Sequence, residues 1–183
     1  GSGTRLHPLT LAVSKQLMPV YNKPMIYYPL STLMHAGIRE ILFITTPHDQ
    51  PLFQHLLGDG SKLGCRFEYQ IQPEPNGLAQ AFVIGKNFIG KDKVALILGD
   101  NFFYGQSLTK KLEKSYTHKN GATIFLKEVS RPENYGVAKI KKNKIEKIIE
   151  KPKKFISNKA ITGLYFFVKN VSEYTRKLRK SKR

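Results

Sequence analysis

Short apolar runs alternate with helix-patterned stretches along the first hundred residues, and that alternation limits the fold more than any other feature of the chain. Pro24 to Gly37 carries Met25, Ile26, Leu30, Leu33 and Met34 at mixed three- and four-residue spacing and ends on glycine, which predicts a helix with a C-terminal stop. Glu40 to Thr46 follows as a continuous apolar run through Ile41, Leu42, Phe43 and Ile44, the pattern of a strand buried on both faces. The sequence then predicts a short helix over Phe53 to Leu57, a strand over Arg66 to Gln72, a helix over Gly77 to Asn87 and a strand over Val94 to Leu98. Strands that alternate with helices call for a largely parallel sheet covered on both faces, an open α/β fold.

The second half reads differently. Gly121 to Val129, Gly136 to Lys141, Lys144 to Glu150 and Ile161 to Val168 have strand composition with little helix between them, so a mixed-sheet extension is expected. Ligands of open α/β sheets sit beyond the carboxyl ends of strands. Gln72-Pro73 and Gly99-Asp100-Asn101 fall at such ends, as does the glycine-rich turn that opens the chain.

Charge narrows the partners. The 183 residues hold 31 Lys+Arg against 13 Asp+Glu, a formal net charge of +18, and the excess lies in the last third, at Lys139 to Lys154 and beyond Lys169. Such a balance attracts anions without naming them, and a solvated basic face accounts for most charge runs. Cys65 is the lone cysteine, which excludes an intrachain disulfide and fits a cytoplasmic, reducing compartment. No stretch approaches the roughly 18 apolar residues that span a bilayer, so no membrane partner is expected. Nucleic acid is disfavoured as a partner, because the basic tail lacks aromatic residues interleaved with its lysines.

Several residues have the chemistry of a phosphate site. In Gly1-Ser2-Gly3-Thr4-Arg5-Leu6, glycines allow the backbone to approach an anion and Arg5 can clamp phosphate oxygens with two hydrogen bonds, although a flexible leader has the same composition. Lys15 stands in the amide-rich and apolar segment Ser14 to Val20 as a candidate phosphate-facing charge. Asp100 follows a buried strand, where a carboxylate can either cap a turn or meet a metal that bridges phosphates.

These segments, with Lys15 to Pro19, Lys23 to Ser31, Leu57 to Gly60, Pro75 to Phe82, Leu96 to Tyr104, Asn134 to Val137, Glu150-Lys151-Pro152 and Thr162-Gly163-Leu164-Tyr165, resemble in order and spacing the glucose-1-phosphate thymidylyltransferases. The resemblance runs to about Lys180. It implies a Rossmann-like nucleotide-diphospho-sugar transferase fold and a reaction in which dTTP and α-D-glucose 1-phosphate give dTDP-glucose and pyrophosphate, with Mg2+ as cofactor. It further implies a homo-oligomer and a product that feeds dTDP-rhamnose and related deoxysugars. By position, Arg5, Lys15 and Asp100 match the catalytic set, with Asp100 the metal ligand. Gly1, Gly3, Thr4, Arg5, Gln16, Gln72 and Gly77 match nucleotide-binding positions. Leu78, Asn101, Tyr135, Gly136, Glu150, Lys151, Ile161 and Thr162 match the sugar-phosphate pocket.

On the same resemblance, residues 1–170 are expected to form a nucleotidyltransferase core that lacks its first strand, and residues 171–183 a basic tail that opens a further C-terminal region. A second metal-binding aspartate would lie past Arg183, so the chain alone is expected to be inactive or nearly so. Two alternatives remain beside this reading: a UTP-using sugar-1-phosphate nucleotidyltransferase of the same fold, and a basic protein that binds polyanions such as nucleic acid.

Overall fold

A computed structural model describes residues 6–74, 76–117, 121–142, 144–168, 170–176 and 178. The chain opens with a short helix α1 (Leu9–Ala12) and a 3-10 turn over Lys15–Leu17. Two-residue strands β1 (Pro19–Val20) and β2 (Lys23–Pro24) then pair antiparallel. Helix α2 (Tyr27–His35) therefore begins later than its apolar spacing suggests, because Lys23 and Pro24 are drawn into that pairing. The Tyr28 hydroxyl fixes the joint by donating to the Val20 carbonyl at 2.7 Å.

Next come β3 (Glu40–Thr45), α3 (Gln50–Leu57) and β4 (Arg66–Ile71), a parallel crossover in which β3 and β4 pair in register from Glu40–Arg66 to Thr45–Ile71. The ladder extends one step further, where the Gln72 amide donates to the Thr45 carbonyl at 2.8 Å. Leu30 and Leu33 of α2, Ile41 and Phe43 of β3, Phe53 of α3 and Phe67 of β4 make one buried cluster. Burial of such side chains contributes about 1.5–3 kcal/mol each before conformational entropy is subtracted.

The expected helix over Gly77 to Asn87 is two pieces, α4 (Ala79–Ile84) and α5 (Lys86–Ile89), divided at Gly85. Strand β5 (Val94–Ile97) follows, then α6 (Leu108–Thr117), which the sequence reading did not anticipate. Strands β6 (Ala122–Glu128), β7 (Gly136–Lys141), β8 (Lys144–Glu150) and β9 (Lys159–Phe167) complete a five-stranded antiparallel sheet with β5. The α/β class is borne out with a parallel part, while the extension expected to be mixed is wholly antiparallel. The one parallel pairing among the described residues is β3 with β4, and β5 joins the extension by pairing antiparallel with β9.

How β9 shares its edges decides where a site can form. Its end near Phe167 pairs with β5 on one edge and β6 on the other. Near Ala160 it pairs with β6 and with β7, so β7 takes over the edge that β5 has left. Between the two, Leu98 continues β5 by one step, its N–H donating to the Gly163 carbonyl at 2.8 Å, and no strand pairs with Ile161 and Thr162 on that edge, which leaves a gap.

Helix α7 (Val171–Arg176) lies in the stretch expected as basic tail. Val171 is nevertheless buried against Phe82 and Ile89, since an apolar residue at the start of the helix has a matching slot between α4 and α5. Residues 179–183 lie outside the described residues.

Candidate functional site

Lys15 and Asp100 are 85 positions apart in sequence, and the Lys15 Nζ donates to Asp100 Oδ2 at 2.9 Å. Backbone anchoring explains the lysine's position. Ile26 N–H donates to the Gln16 carbonyl and Met25 N–H to the Met18 carbonyl, both at 2.9 Å, so the 3-10 turn is strapped to the segment that leads into α2. Gln16 lies over Gly99, whose α-carbon is close enough that an added Cβ would stand 3.0 Å from Gln16 Cγ. The Gln16 amide oxygen accepts from Ser14 Oγ at 2.7 Å.

Asp100 is about one-third exposed. Burial pushes its pKa up, but the hydrogen bond and charge of Lys15, with the Asn101 amide, more than reverse this and hold the carboxyl below its ordinary range. Asn101 Nδ2 donates to Asp100 Oδ1 at 3.1 Å, so both carboxylate oxygens are engaged.

Asn101 also closes the gap on β9. Its Oδ1 accepts the Gly163 backbone N–H at 3.0 Å, a donor that neither β5 nor β7 reaches. An unpaired buried N–H is costly, so this side chain does the work of a missing strand neighbour. Gly163 has no room for a side chain, because a Cβ there would lie 2.7 Å from Leu98 Cδ1 and 2.8 Å from Asn101 Cγ. Thr162 points its hydroxyl to the other side, donating to the Phe125 carbonyl at 2.9 Å where β6 bulges.

At the start of β7, Gly136 pairs with Glu150, and a Cβ on Gly136 would lie 2.7 Å from Glu150 Oε2 and 3.9 Å from Ile161 Cδ1. Gly136, Glu150 and Ile161 are thereby neighbours at the β7 end of the gap. Lys151 N–H donates to the Tyr135 carbonyl at 2.9 Å, which brings those two exposed side chains beside the same strand ends. Burial pushes the Tyr165 phenol pKa up, and the Glu150 charge adds to it, so Glu150 is felt as far as the middle of β9.

A third group lies beyond β4. Gln72 Nε2 donates to Gln80 Oε1 at 2.7 Å and to the Gly77 carbonyl at 3.4 Å. Leu78, next in the chain, is 48% exposed and contributes little to the core.

Gly1, Gly3, Thr4 and Arg5 lie outside the described residues. Among the described residues no group of three or more His, Cys, Asp and Glu side chains gathers as a ready-made metal cage. No helix among them is long and apolar enough to cross a membrane. Three neighbours of these groups escaped the sequence reading as individual residues: Gly163, Tyr165 and Gln80. All three belong to motif segments, Gln80 to Pro75–Phe82 and the others to Thr162–Tyr165, but only the geometry reveals what they touch.

Comparison with known proteins gives a consistent picture. Residues 1–183 match the family model described as nucleotidyl transferase. A glucose-1-phosphate thymidylyltransferase of Neisseria meningitidis serogroup A is 54% identical over 184 residues, covering 100% of this chain and 64% of that protein. The chain thus spans less than two thirds of the length of the curated relative. Among solved structures, a Bacillus anthracis protein named as a candidate glucose-1-phosphate thymidylyltransferase, in complex with sucrose, superposes with a TM-score of 0.91 at 37% identity, covering 98% of this chain and 72% of that one. A UDP-glucose pyrophosphorylase complexed with UDP-glucose has a TM-score of 0.84 at 24% identity, covering 100% of this chain and 78% of that one, a likeness of fold alone.

Proposed function

Because the chain belongs to the nucleotidyl transferase family, we propose that it carries the nucleotide- and sugar-phosphate-binding part of an enzyme that makes dTDP-glucose from dTTP and α-D-glucose 1-phosphate. The observation that carries this reading is the Lys15–Asp100 pair, a cation and a half-buried carboxylate joined from distant parts of the chain beside a gap in the sheet edge.

The reaction forms a bond between a phosphate oxygen of the sugar phosphate and the α-phosphorus of dTTP, and it breaks the bond from that phosphorus to the bridging oxygen of the leaving pyrophosphate. Two anions must meet, so positive charge held at the reacting phosphates lowers the barrier. Lys15, whose Nζ pairs with Asp100 Oδ2 at 2.9 Å, is the residue that turns its ammonium to phosphate oxygens. Arg5 would join it from the N-terminal turn. Gln72 reads the pyrimidine, aided by Gly77, while Gln16 lines the nucleotide side with Gly1, Gly3 and Thr4. Asn101, Tyr135, Gly136, Glu150, Lys151, Ile161, Thr162 and Leu78 line the sugar side, where Glu150 accepts from hydroxyls and Lys151 pairs with the sugar phosphate.

Asp100 suits a magnesium ion, since its Oδ2 already takes a cation and Mg2+ is held by one or two carboxylates with phosphate oxygens and water completing the shell. The chemistry such an ion supplies when bound is neutralisation of phosphate charge. Asp100 would hold the ion, and Lys15 would then be available to phosphate oxygens. Residues 1–170 act as the core in this reading, and its compartment is the cytoplasm, as the single cysteine supports.

Thermal melting of the chain with dTTP, UTP and inorganic tripolyphosphate, each with Mg2+, tests the proposal. A ligand at a hundredfold its Kd stabilises by about 2.7 kcal/mol, enough to read as a shift in Tm. The largest shift is expected with dTTP. An equal shift with all three would reduce the site to a patch for polyanions and refute the assignment.

A further inference from the structure

Position 80 has no role in the reading above, yet its side chain makes the shortest contact of the residue assigned to the base. We propose that Gln80 is a positioning residue for base choice: it locks the Gln72 amide so that the acceptor, Oε1, faces the nucleotide and selects a pyrimidine with an N3–H. This inference rests on the assignment of Gln72 to the base made above.

The lock follows from donor and acceptor inventory. A primary amide presents two N–H donors on one side and one carbonyl acceptor on the other, and a half-turn exchanges them. The Gly77 carbonyl accepts only, so the Gln72 atom beside it, at 3.4 Å, is the nitrogen. That contact is long and gives a weak preference. The Gln80 oxygen lies at 2.7 Å from the same nitrogen, a full hydrogen bond; Gln80 is itself an amide able to present either atom, so the acceptor-only Gly77 carbonyl sets the direction and Gln80 strengthens the hold. Gln80 stands in the first turn of α4, and its own backbone N–H donates to the Gly77 carbonyl at 3.3 Å, which ties the helix start to the same turn. Gly77 has φ +91°, a left-handed conformation that glycine adopts without strain, and this turns its carbonyl back towards Gln72.

With both Nε2 contacts on the protein side, Oε1 is the atom left to meet a ligand. Thymine and uracil carry a donor at N3, and cytosine carries an acceptor there. An acceptor that faces an acceptor is left unpaired in a partly closed site, and such mismatches reject a ligand far better than a lost methyl group does. Thymine and uracil are equally served, so Gln80 governs the choice against cytosine and leaves the 5-methyl group to other contacts.

Calorimetric titration of dTTP and dCTP, each with Mg2+, into the chain and its Gln80→Met and Gln80→Glu variants tests this. Methionine keeps the length and removes the acceptor, whereas glutamate keeps an acceptor for Nε2. The wild type is expected to favour dTTP. Gln80→Met should lose about tenfold of that preference, as one hydrogen bond of hold would allow, with its affinity for inorganic tripolyphosphate unchanged. Gln80→Glu should retain the preference. A full dTTP preference in Gln80→Met, or a loss in Gln80→Glu as large as in Gln80→Met, would overturn the role of Gln80 while leaving the base assignment intact. No preference for dTTP in the wild type would remove the base assignment of Gln72, and this inference with it.

Discussion

Gly163 leaves no free space for a side chain, because a Cβ there would stand 2.7 Å from Leu98 Cδ1 and 2.8 Å from Asn101 Cγ while its N–H reaches the Asn101 side chain. Gly163→Ala should therefore destabilise the chain by about 1–3 kcal/mol, the usual cost of overpacking, and urea titration of the variant measures it. Asp100 has a different signature. Its carboxyl titrates below the ordinary 3.8 in the folded chain, so its pairing contributes stability that is complete above that value and disappears as pH falls through the lowered one. Asp100→Asn should accordingly melt below the wild type near neutral pH, and the gap should narrow only as pH falls below 3.8. A variant that melts with the wild type at neutral pH would mean that the pair contributes nothing through charge. At this scale the sequence marked Lys15 and Asp100 by residue type and setting. Gln80 was hidden, because an amide in the first turn of a helix looks like any surface position until its partner is seen at 2.7 Å.

Among the elements, the strands announced themselves best. Glu40–Thr45, Arg66–Ile71 and Lys144–Glu150 have bounds close to those their apolar and β-branched residues predict, since residues such as Ile41, Phe67 and Ile148 favour extended backbone. Helix α6 gave a weaker signal: its sequence is mostly polar, and Leu108 and Leu112, four residues apart, are its apolar anchors. Leu112 is nonetheless fully buried, packed with Leu164 and Phe166 of β9. Leu112→Ala should cost about 2–5 kcal/mol, the range for emptying a leucine site, in a denaturant titration. A cost below 1 kcal/mol would mean that α6 is a surface ornament rather than the cover of β9. The start of α2 was misread for a related reason. Met25 and Ile26 fit the helical spacing, but the preceding Lys23–Pro24 finds strand partners in Pro19–Val20, a tertiary choice that no local pattern encodes. The gap on β9 was likewise invisible, because it arises from where β5 ends and β7 begins on the same edge.

Across the whole molecule, two electrostatic regimes coexist. The exposed lysines of β7 and β8 and the turn between them, Lys139, Lys141, Lys142, Lys144 and Lys147, crowd one hairpin at the sheet edge, relieved by the 3.0 Å Lys139–Glu146 pair. Edge lysines also discourage strand addition by another chain. Attraction of polyanions to this face should fall steeply between 50 and 200 mM salt, since it releases counterions along the polymer, whereas binding at the half-buried Lys15–Asp100 pair should fall much less. The α/β class was legible from the alternation of elements, and the antiparallel attachment of β5 to β9 was not, because strand direction depends on connections far along the chain. What joins these scales is the proposal that Lys15 and Asp100 form one cation-and-phosphate centre. Calorimetric titration of dTTP, with and without Mg2+, into wild type, Lys15→Met and Asp100→Asn tests it most directly. Mg2+ should tighten dTTP binding to the wild type about tenfold or more, Asp100→Asn should abolish this enhancement, and Lys15→Met should weaken dTTP binding while leaving the enhancement in place. An Mg2+ enhancement undiminished in Asp100→Asn would contradict the account at its centre.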